Sequence, residues 1–264
     1  MALLLALLVL LGRPFYTNAE AAAGVQLVAL SGLLLAGSPS GPRAGPMTAV
    51  RTVLAAATGA LGVLLAARSQ AASVLVVLMV VVVVLALRRG TAPARHAILA
   101  AGLGVIGAAM VVVVVLGGLP VWPRWLRAHG SLSGARHRLW GDALALWGEH
   151  PVLGGGPGSF LEFSATARSE PHLYAAHSSI LQVGAEFGAV GALLFVGVLV
   201  TGTLTASRGE GARGVIGVAA WCALAVHSMI DHLYEFPLVC LLAGLVIGWA
   251  GSRRSHAPLR RDSA

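Results

Sequence analysis

Seven runs of apolar residues, most of them long enough to cross a lipid bilayer, constrain the fold of this chain more than any other feature. A helix that spans the hydrocarbon core needs about 20 predominantly apolar residues. The runs lie at 19–37, 50–67, 70–87, 97–119, 178–205, 214–232 and 237–250. Only 11% of the 264 residues are charged, whereas a soluble domain carries about 25%. The sequence therefore predicts an all-α fold, a polytopic membrane bundle with about seven full spanning helices.

The order of polar and apolar stretches divides the chain into four parts. Residues 1–119 hold N-terminal membrane helices, and the apolar Met1–Leu11 segment at their start is too short to span, which predicts a partial helix. Residues 120–177 form a long polar loop with short helices. Residues 178–251 hold three C-terminal membrane helices, and residues 252–264 form a basic tail.

The distribution of arginine predicts which side of the membrane each connection faces. All 18 basic residues are arginine, and short cytoplasmic connections are enriched in positive charge. One face of the predicted bundle carries Arg43, Arg51, Arg88, Arg89, Arg95, Arg208, Arg213, Arg253, Arg254, Arg260 and Arg261. We therefore expect this face to be cytoplasmic and the 120–177 loop to be extracytoplasmic. The preference for positive charge on the cytoplasmic side also explains the net charge of +8. We therefore expect membrane lipids as partners and no nucleic acid.

The long loop concentrates the residues that could do chemistry. A helix is predicted over 136–149, and it places Arg136 and Trp140 four residues apart on one face. The glycine-rich stretch Gly154–Gly158 lacks the Gly-Lys-Ser/Thr of a nucleotide-binding loop. We interpret it as a tight backbone turn.

His177 and Arg68 are the other two candidates on the predicted outer side. His177 lies where the loop becomes an apolar helix, and an imidazole there can accept a proton from a hydroxyl nucleophile; the alternative is an ordinary helix-start residue. Arg68 lies between two apolar runs and could equally be an anchor at a helix end. Five histidines fall in the loop without HExxH, paired cysteines or Asp-x-Asp, so we predict no metal site and no cofactor. Cys222 and Cys240 fall in predicted spans, where we expect packing residues rather than a disulfide.

Several segments together resemble the O-antigen ligase and O-antigen polymerase family, membrane glycosyltransferases that act on lipid-linked glycans. The similar segments are Arg136-x-x-x-Trp140, His150–Phe160 (HPVLGGGPGSF), His177-Ser178-Ser179, Glu186-Phe187-Gly188, His227–Asp231 (HSMID) and Ala67-Arg68-Ser69. Three spanning helices after a long loop also fit the layout of this family. The family usually has about twelve spanning helices, so the resemblance implies that roughly four N-terminal helices are absent from this chain.

This resemblance implies a bacterial inner-membrane enzyme that works on the extracytoplasmic face. It implies a polyprenyl-diphosphate-linked glycan donor, metal-independent transfer to a glycan, lipid or protein acceptor, and arginines that bind the diphosphate. His177 is then the catalytic residue, and Arg68 and Arg136 bind the diphosphate, since guanidinium groups pair with phosphate oxygens bidentately. We expect these three side chains to converge on one extracytoplasmic pocket. Possible supporting residues are Arg138, Trp140, Tyr174, Glu186, His227 and Asp231.

Other functions are compatible with a polytopic bundle. A glycan transporter or flippase would carry charged or helix-breaking residues near the midplane of several spans, and Glu186 alone comes close. An inactive membrane scaffold and a peptidoglycan-type glycan polymerase are the further alternatives.

Overall fold

The computed structural model describes residues 16–37, 45–89, 93–127 and 132–252, and all regular structure in these ranges is helical. The predicted helix at Met1–Leu11 and most of the basic tail lie outside them. The α-helices are α1 (Thr17–Ala36), α2 (Pro46–Ala66), α3 (Gln70–Arg88), α4 (Arg95–Gly118), α5 (Arg124–Arg127), α6 (Leu132–Glu149), α7 (Ser159–Phe163), α8 (Ala165–Ser169), α9 (Ser179–Ala206), α10 (Ala212–Met229) and α11 (Pro237–Gly251). Two 3₁₀ turns cover Pro171–Leu173 and Leu233–Glu235.

Six of these helices, α1–α4, α9 and α10, are long and apolar enough to cross a membrane. This confirms the prediction of an all-α polytopic bundle. The seventh predicted span, α11, has 15 residues. At a rise of 1.5 Å per residue it covers about 22 Å, less than the ~30 Å of a hydrocarbon core.

Helices α1 and α10 form the centre of the bundle. About 67% of the apolar part of α1 and 72% of that of α10 is buried, against 17–28% for α2, α3, α4 and α9. Small residues allow close approach at this centre, as they do in other membrane bundles. Gly24 of α1 lies against Gly62 of α2, where a Cβ at Gly24 would fall 2.5 Å from the Gly62 carbonyl oxygen. The outer helices therefore present their apolar side chains to lipid.

Helix α10 ends earlier than its apolar run predicts. The run continues to residue 232, but the helix ends at Met229, where the Ile230 amide donates to the His227 carbonyl oxygen at 3.1 Å. Asp231 therefore lies outside the helix. Its carbonyl oxygen accepts hydrogen bonds from the amide and the hydroxyl of Ser179 at the start of α9, both at 3.1 Å. Two segments far apart in sequence meet at this point.

Helix α6 of the long loop begins at Leu132 rather than at the predicted residue 136. Leu139, Ala143 and Leu146 are fully or almost fully buried on one face of α6, which packs against α9 and α4. The loop is thus fixed to the end of the bundle rather than extended into water.

Candidate functional site

His177 has an unusual backbone conformation. Its φ angle is 48°, and it is the one non-glycine residue with positive φ in the part of the chain that the structure describes. Such a conformation is uncommon for a residue with a Cβ, and where it occurs it is held by its surroundings. Trp140 Nε1 donates to the His177 carbonyl oxygen at 3.4 Å. Helix α6 therefore contacts the backbone at the very residue that the sequence proposes as the base.

The carboxylate of Asp231 is the centre of the cluster around His177. Its Oδ1 lies 3.3 Å from His177 Nδ1 and accepts from the His232 amide at 2.9 Å. The Tyr16 hydroxyl donates to the same carboxylate at 3.0–3.1 Å, and Asn18 Nδ2 donates to Oδ2 at 2.6 Å. The side chain of Asp231 is 1% exposed. A buried charge with this many donors is well compensated.

The cluster keeps Asp231 ionised and Tyr16 protonated. Burial disfavours the charge on Asp231, but hydrogen bonds from His177 and His232 outweigh it and hold the pKa of this carboxyl well below its usual range. Burial raises the pKa of the Tyr16 hydroxyl, the charge and hydrogen bond of Asp231 raise it further, and Asn18 and Arg136 oppose the shift in part. Tyr16 is therefore a hydrogen-bond donor and not a base at ordinary pH.

Four nitrogen atoms in this region are buried without a hydrogen-bond partner among the described residues: Arg136 Nε, His177 Nε2, His227 Nδ1 and His232 Nδ1, the last of which still lies 2.9 Å from Asp231 Oδ1. Arg136 is half-buried, and its positive charge acts on the Tyr16 hydroxyl. Buried polar groups are normally paired, so unpaired donors and acceptors in one region point to a ligand. Here they comprise one guanidinium nitrogen and three imidazole nitrogens.

Arg68 lies at the same end of the bundle and forms an ion pair with Glu20 of α1. Glu20 follows Tyr16 by four residues, which is about one helical turn. The Arg68 side chain is 54% exposed. The structure thus pairs Arg68 with a residue one turn from Tyr16, and the expected convergence of Arg68, Arg136 and His177 stays a prediction.

The remaining predicted supporting residues take different positions. The Tyr174 hydroxyl lies 3.1 Å from His232 Nε2, so Tyr174 contacts the cluster through His232. Burial raises the pKa of Tyr174, and Glu235 raises it further. Arg138 is exposed, and its Nε donates to the Thr166 hydroxyl at 3.4 Å. Arg138 therefore lies apart from the cluster around Asp231.

Glu186 contacts the glycine-rich loop. Its Oε1 accepts from the Gly158 amide at 3.0 Å, and the Gly155 amide donates to the Ala185 carbonyl oxygen at 2.9 Å. The loop enters a break in α9 at Gly188, whose φ angle is 62°. A Cβ on Gly154 would fall 2.3 Å from the Glu186 carbonyl carbon. The loop is thus the tight turn expected from the sequence, and it needs glycine because backbone meets backbone.

The sequence analysis missed Tyr16, Asn18 and His232. His232 follows the last residue of the segment His227–Asp231, so extending that segment by one residue would have found it. Tyr16 carried only a weak signal, as an aromatic residue just before the first full apolar run. Asn18 carried none, because its role depends on packing the start of α1 against residue 231.

His177, Asp231 and His232 also form a set of side chains of the kinds that bind metal ions, with ligand atoms within 4.8 Å of one another. His232 Nδ1 lies 2.9 Å from Asp231 Oδ1. No spacing motif in the sequence predicts this set, because its members come from two separate loops. The predicted absence of a metal stays a prediction.

A protein-family model described as O-antigen ligase matches residues 45–196, more than half of the chain. The chain belongs to the O-antigen ligase family. It is accordingly a multi-pass bacterial membrane protein and a glycosyltransferase of the ligase or polymerase type. The match confirms the resemblance and includes Arg68, Arg136 and His177, while the segment with Asp231 lies beyond it. No curated protein sequence is significantly similar to this O-antigen ligase family member.

Proposed function

We propose that the protein transfers a glycan from a polyprenyl-diphosphate carrier to a hydroxyl or amine of an acceptor, with His177 as the general base. One observation carries this proposal: His177 Nδ1 faces the Asp231 carboxylate while Nε2 is buried without a partner among the described residues. An imidazole held at one nitrogen by a carboxylate presents the other as a proton acceptor. The side chain is therefore oriented for proton transfer.

The reaction consists of one displacement at the glycosidic carbon. The acceptor oxygen forms a bond to this carbon, and the bond between the carbon and the diphosphate oxygen breaks. The acceptor proton passes to His177 Nε2, and the bonding electrons leave with the diphosphate. The Asp231 carboxylate stabilises the imidazolium that forms, since its lowered pKa keeps it ionised.

Arginine side chains stabilise the charge that grows on the leaving diphosphate. Arg136 provides a half-buried guanidinium group near Tyr16, and Arg68 provides a second at the same end of the bundle. A guanidinium stays charged and binds phosphate oxygens bidentately. Arg68 would exchange its ion pair with Glu20 for the diphosphate when the donor binds.

The transfer takes place on the extracytoplasmic face of the bacterial inner membrane. Support comes from the arginines at the opposite end of the bundle, which the positive-inside rule assigns to the cytoplasm. Arg51 there donates to the Gly37 carbonyl oxygen at 2.9 Å, and Arg213 Nη2 donates to the Ser252 hydroxyl at 2.6 Å.

We further propose that transfer needs no metal ion. The Asp231 carboxylate already accepts hydrogen bonds from Tyr16, Asn18 and the His232 amide, and two arginines supply the positive charge for the diphosphate. Because His177, Asp231 and His232 could also bind a transition metal, the test must include a chelator.

The experiment is reconstitution of the purified chain in liposomes with a polyprenyl-diphosphate glycan and candidate acceptors. We expect release of polyprenyl diphosphate and a glycosylated product at equal rates with and without EDTA. His177→Ala should reduce the rate by about 10²–10⁴-fold, the usual contribution of general base catalysis. His172→Ala is the matched control, because His172 is a loop histidine with a 70% exposed side chain.

Wild-type activity in His177→Ala would remove His177 as the base, and loss of activity with EDTA would contradict metal independence. Movement of the donor across the bilayer without product would favour the transporter alternative.

A further inference from the structure

A chain of hydrogen bonds joins the glycine-rich loop to the backbone next to His177. We infer that Gln182, which lies in the middle of this chain, is a positioning residue for His177. The inference rests on the proposed function of His177 as the base. We call the chain Gly158–Glu186–Gln182–Ala176 the amide relay.

Each link of the amide relay has good geometry. The Gly158 amide donates to Glu186 Oε1 at 3.0 Å. Gln182 Nε2 donates to the same Oε1 at 2.9 Å, and Gln182 Oε1 accepts from the Ala176 amide at 2.7 Å. Gln182 and Glu186 are one turn apart on α9, so the pair needs no further support to meet.

The Ala176 amide precedes the residue with the exceptional backbone. Ala176 is fully buried and His177 is 4% exposed, so these groups have little access to water. The hydrogen bond from the Ala176 amide to Gln182 holds the backbone before His177. The hydrogen bond from Trp140 to the His177 carbonyl oxygen, at 3.4 Å, holds the backbone after it. Because the backbone is held before and after His177, the residue keeps its positive φ and its imidazole faces Asp231.

Gln182 fits this place because a primary amide offers an acceptor and a donor on one side chain. The acceptor faces Ala176 and the donor faces the Glu186 carboxylate. A glutamate at 182 could still accept from Ala176 but would place a carboxylate against Glu186. A leucine of similar size would make neither bond.

This difference allows a rescue experiment with four variants in the reconstituted full chain: Gln182→Leu, Gln182→Glu, Glu186→Gln, and Gln182→Glu combined with Glu186→Gln. In the double variant the residue 186 amide donates to the residue 182 carboxylate, so the middle bond is restored with its direction reversed, while the Ala176 and Gly158 amides still donate as before. We expect Gln182→Leu and Gln182→Glu to lower kcat about tenfold, as the loss of a buried hydrogen bond predicts, with a smaller effect on KM. The double variant should regain most of the lost kcat.

Two controls separate positioning from loss of fold. Adding Glu186→Gln to Gln182→Leu should rescue nothing, because leucine has no polar atom to pair. Glu149→Gln makes the same substitution at an exposed residue of α6 and should leave kcat unchanged.

A second measurement does not depend on activity. Amide hydrogen exchange resolved at Ala176 should accelerate about tenfold in Gln182→Leu and return towards the wild-type rate in the double variant. If wild-type protein shows no transfer but Ala176 exchange behaves as expected, the proposed function fails while the relay stands. Unchanged exchange at Ala176 in Gln182→Leu, or a double variant no better than Gln182→Glu, overturns the inference.

Discussion

The two ends of the helical bundle both carry arginine, but they use it differently. At the end with Arg51, Arg95 and Arg213, the described guanidinium groups donate to backbone carbonyls or hydroxyls at helix ends. At the other end, Arg136 Nε is buried with no described partner, and the charge of Arg136 acts on His227, whose Nδ1 is in the same state. Arginine that completes helix ends serves the fold, whereas arginine held without a partner is available to a substrate.

Among substitutions that compare the two ends, the largest effect should come from a matched pair of arginines. Arg136→Lys keeps the charge but loses the planar fork that binds a diphosphate bidentately, so we expect kcat/KM to fall by about 10²–10³-fold. Arg51→Lys should change it less than about twofold, because Arg51 binds the Gly37 carbonyl oxygen. Rates of polyprenyl-diphosphate release measure both. Equal losses of kcat/KM in the two variants would contradict a functional difference between the two ends.

A somewhat smaller loss is expected for Asp231→Asn. An amide in this place removes the charge that stabilises the imidazolium and can hold His177 in the wrong tautomer, so kcat should fall by about 10²-fold. Ser207→Ala at the opposite end serves as the control, because it removes a buried hydroxyl that accepts from Arg95 at 3.5 Å. A wild-type kcat in Asp231→Asn would indicate that the cluster around Asp231 has only a structural role.

Substitutions of Arg68 and Glu20 should change the KM for the donor in opposite directions. If Arg68 binds the donor diphosphate, Arg68→Gln should raise the KM for the donor about tenfold. Glu20→Gln should lower that KM a few-fold (~2–3), because the guanidinium group no longer has to leave an ion pair. Parallel changes in KM for the two variants would indicate that the pair only anchors α1 to the connection between α2 and α3.

The smallest effect concerns stability and pH. The pKa of Asp231 is lower in the folded protein than in the unfolded chain, so its contribution to stability is present above the unfolded value of ~3.9 and is lost as the pH falls further. We expect Asp231→Asn to lower Tm by about 5 °C at pH 7 and by less below pH ~3.9. Thermal unfolding in detergent at both pH values measures this. A difference that grows towards acid pH would contradict the direction of the shift.

Much of the fold follows from local pattern. Length and hydropathy predicted α1–α4, α9 and α10, since the bilayer requires long apolar segments with internally paired backbones. The prediction was wrong at the end of α10, where hydropathy alone does not reveal that the helix stops at Met229. The run at 237–250 matches α11 in its bounds, with the start set by Pro237 after a 3₁₀ turn, but 15 residues fall short of the full span that was expected.

The residues of the candidate site also divide into those that the sequence predicts and those that it does not. His177, Arg136 and Asp231 could be named from the sequence because their residue types and their place in family-like segments indicate chemistry. Tyr16 and Asn18 could not, since their hydrogen bonds to Asp231 join residues up to 215 positions apart and leave no local pattern. Gln182 could not either, because its bond to the Ala176 amide depends on how the loop backbone enters α9.

The sequence by itself determined that this chain crosses a membrane several times, that it belongs to the O-antigen ligase family, and which residue types could move a proton or bind a diphosphate. Only the tertiary structure decided that Asp231 leaves its helix to meet His177 and that α1 supplies Tyr16 and Asn18. Membrane insertion depends on the summed transfer free energy of each segment, which is a property of composition. Orientation of a buried imidazole depends on directional hydrogen bonds, which exist only when distant segments pack together.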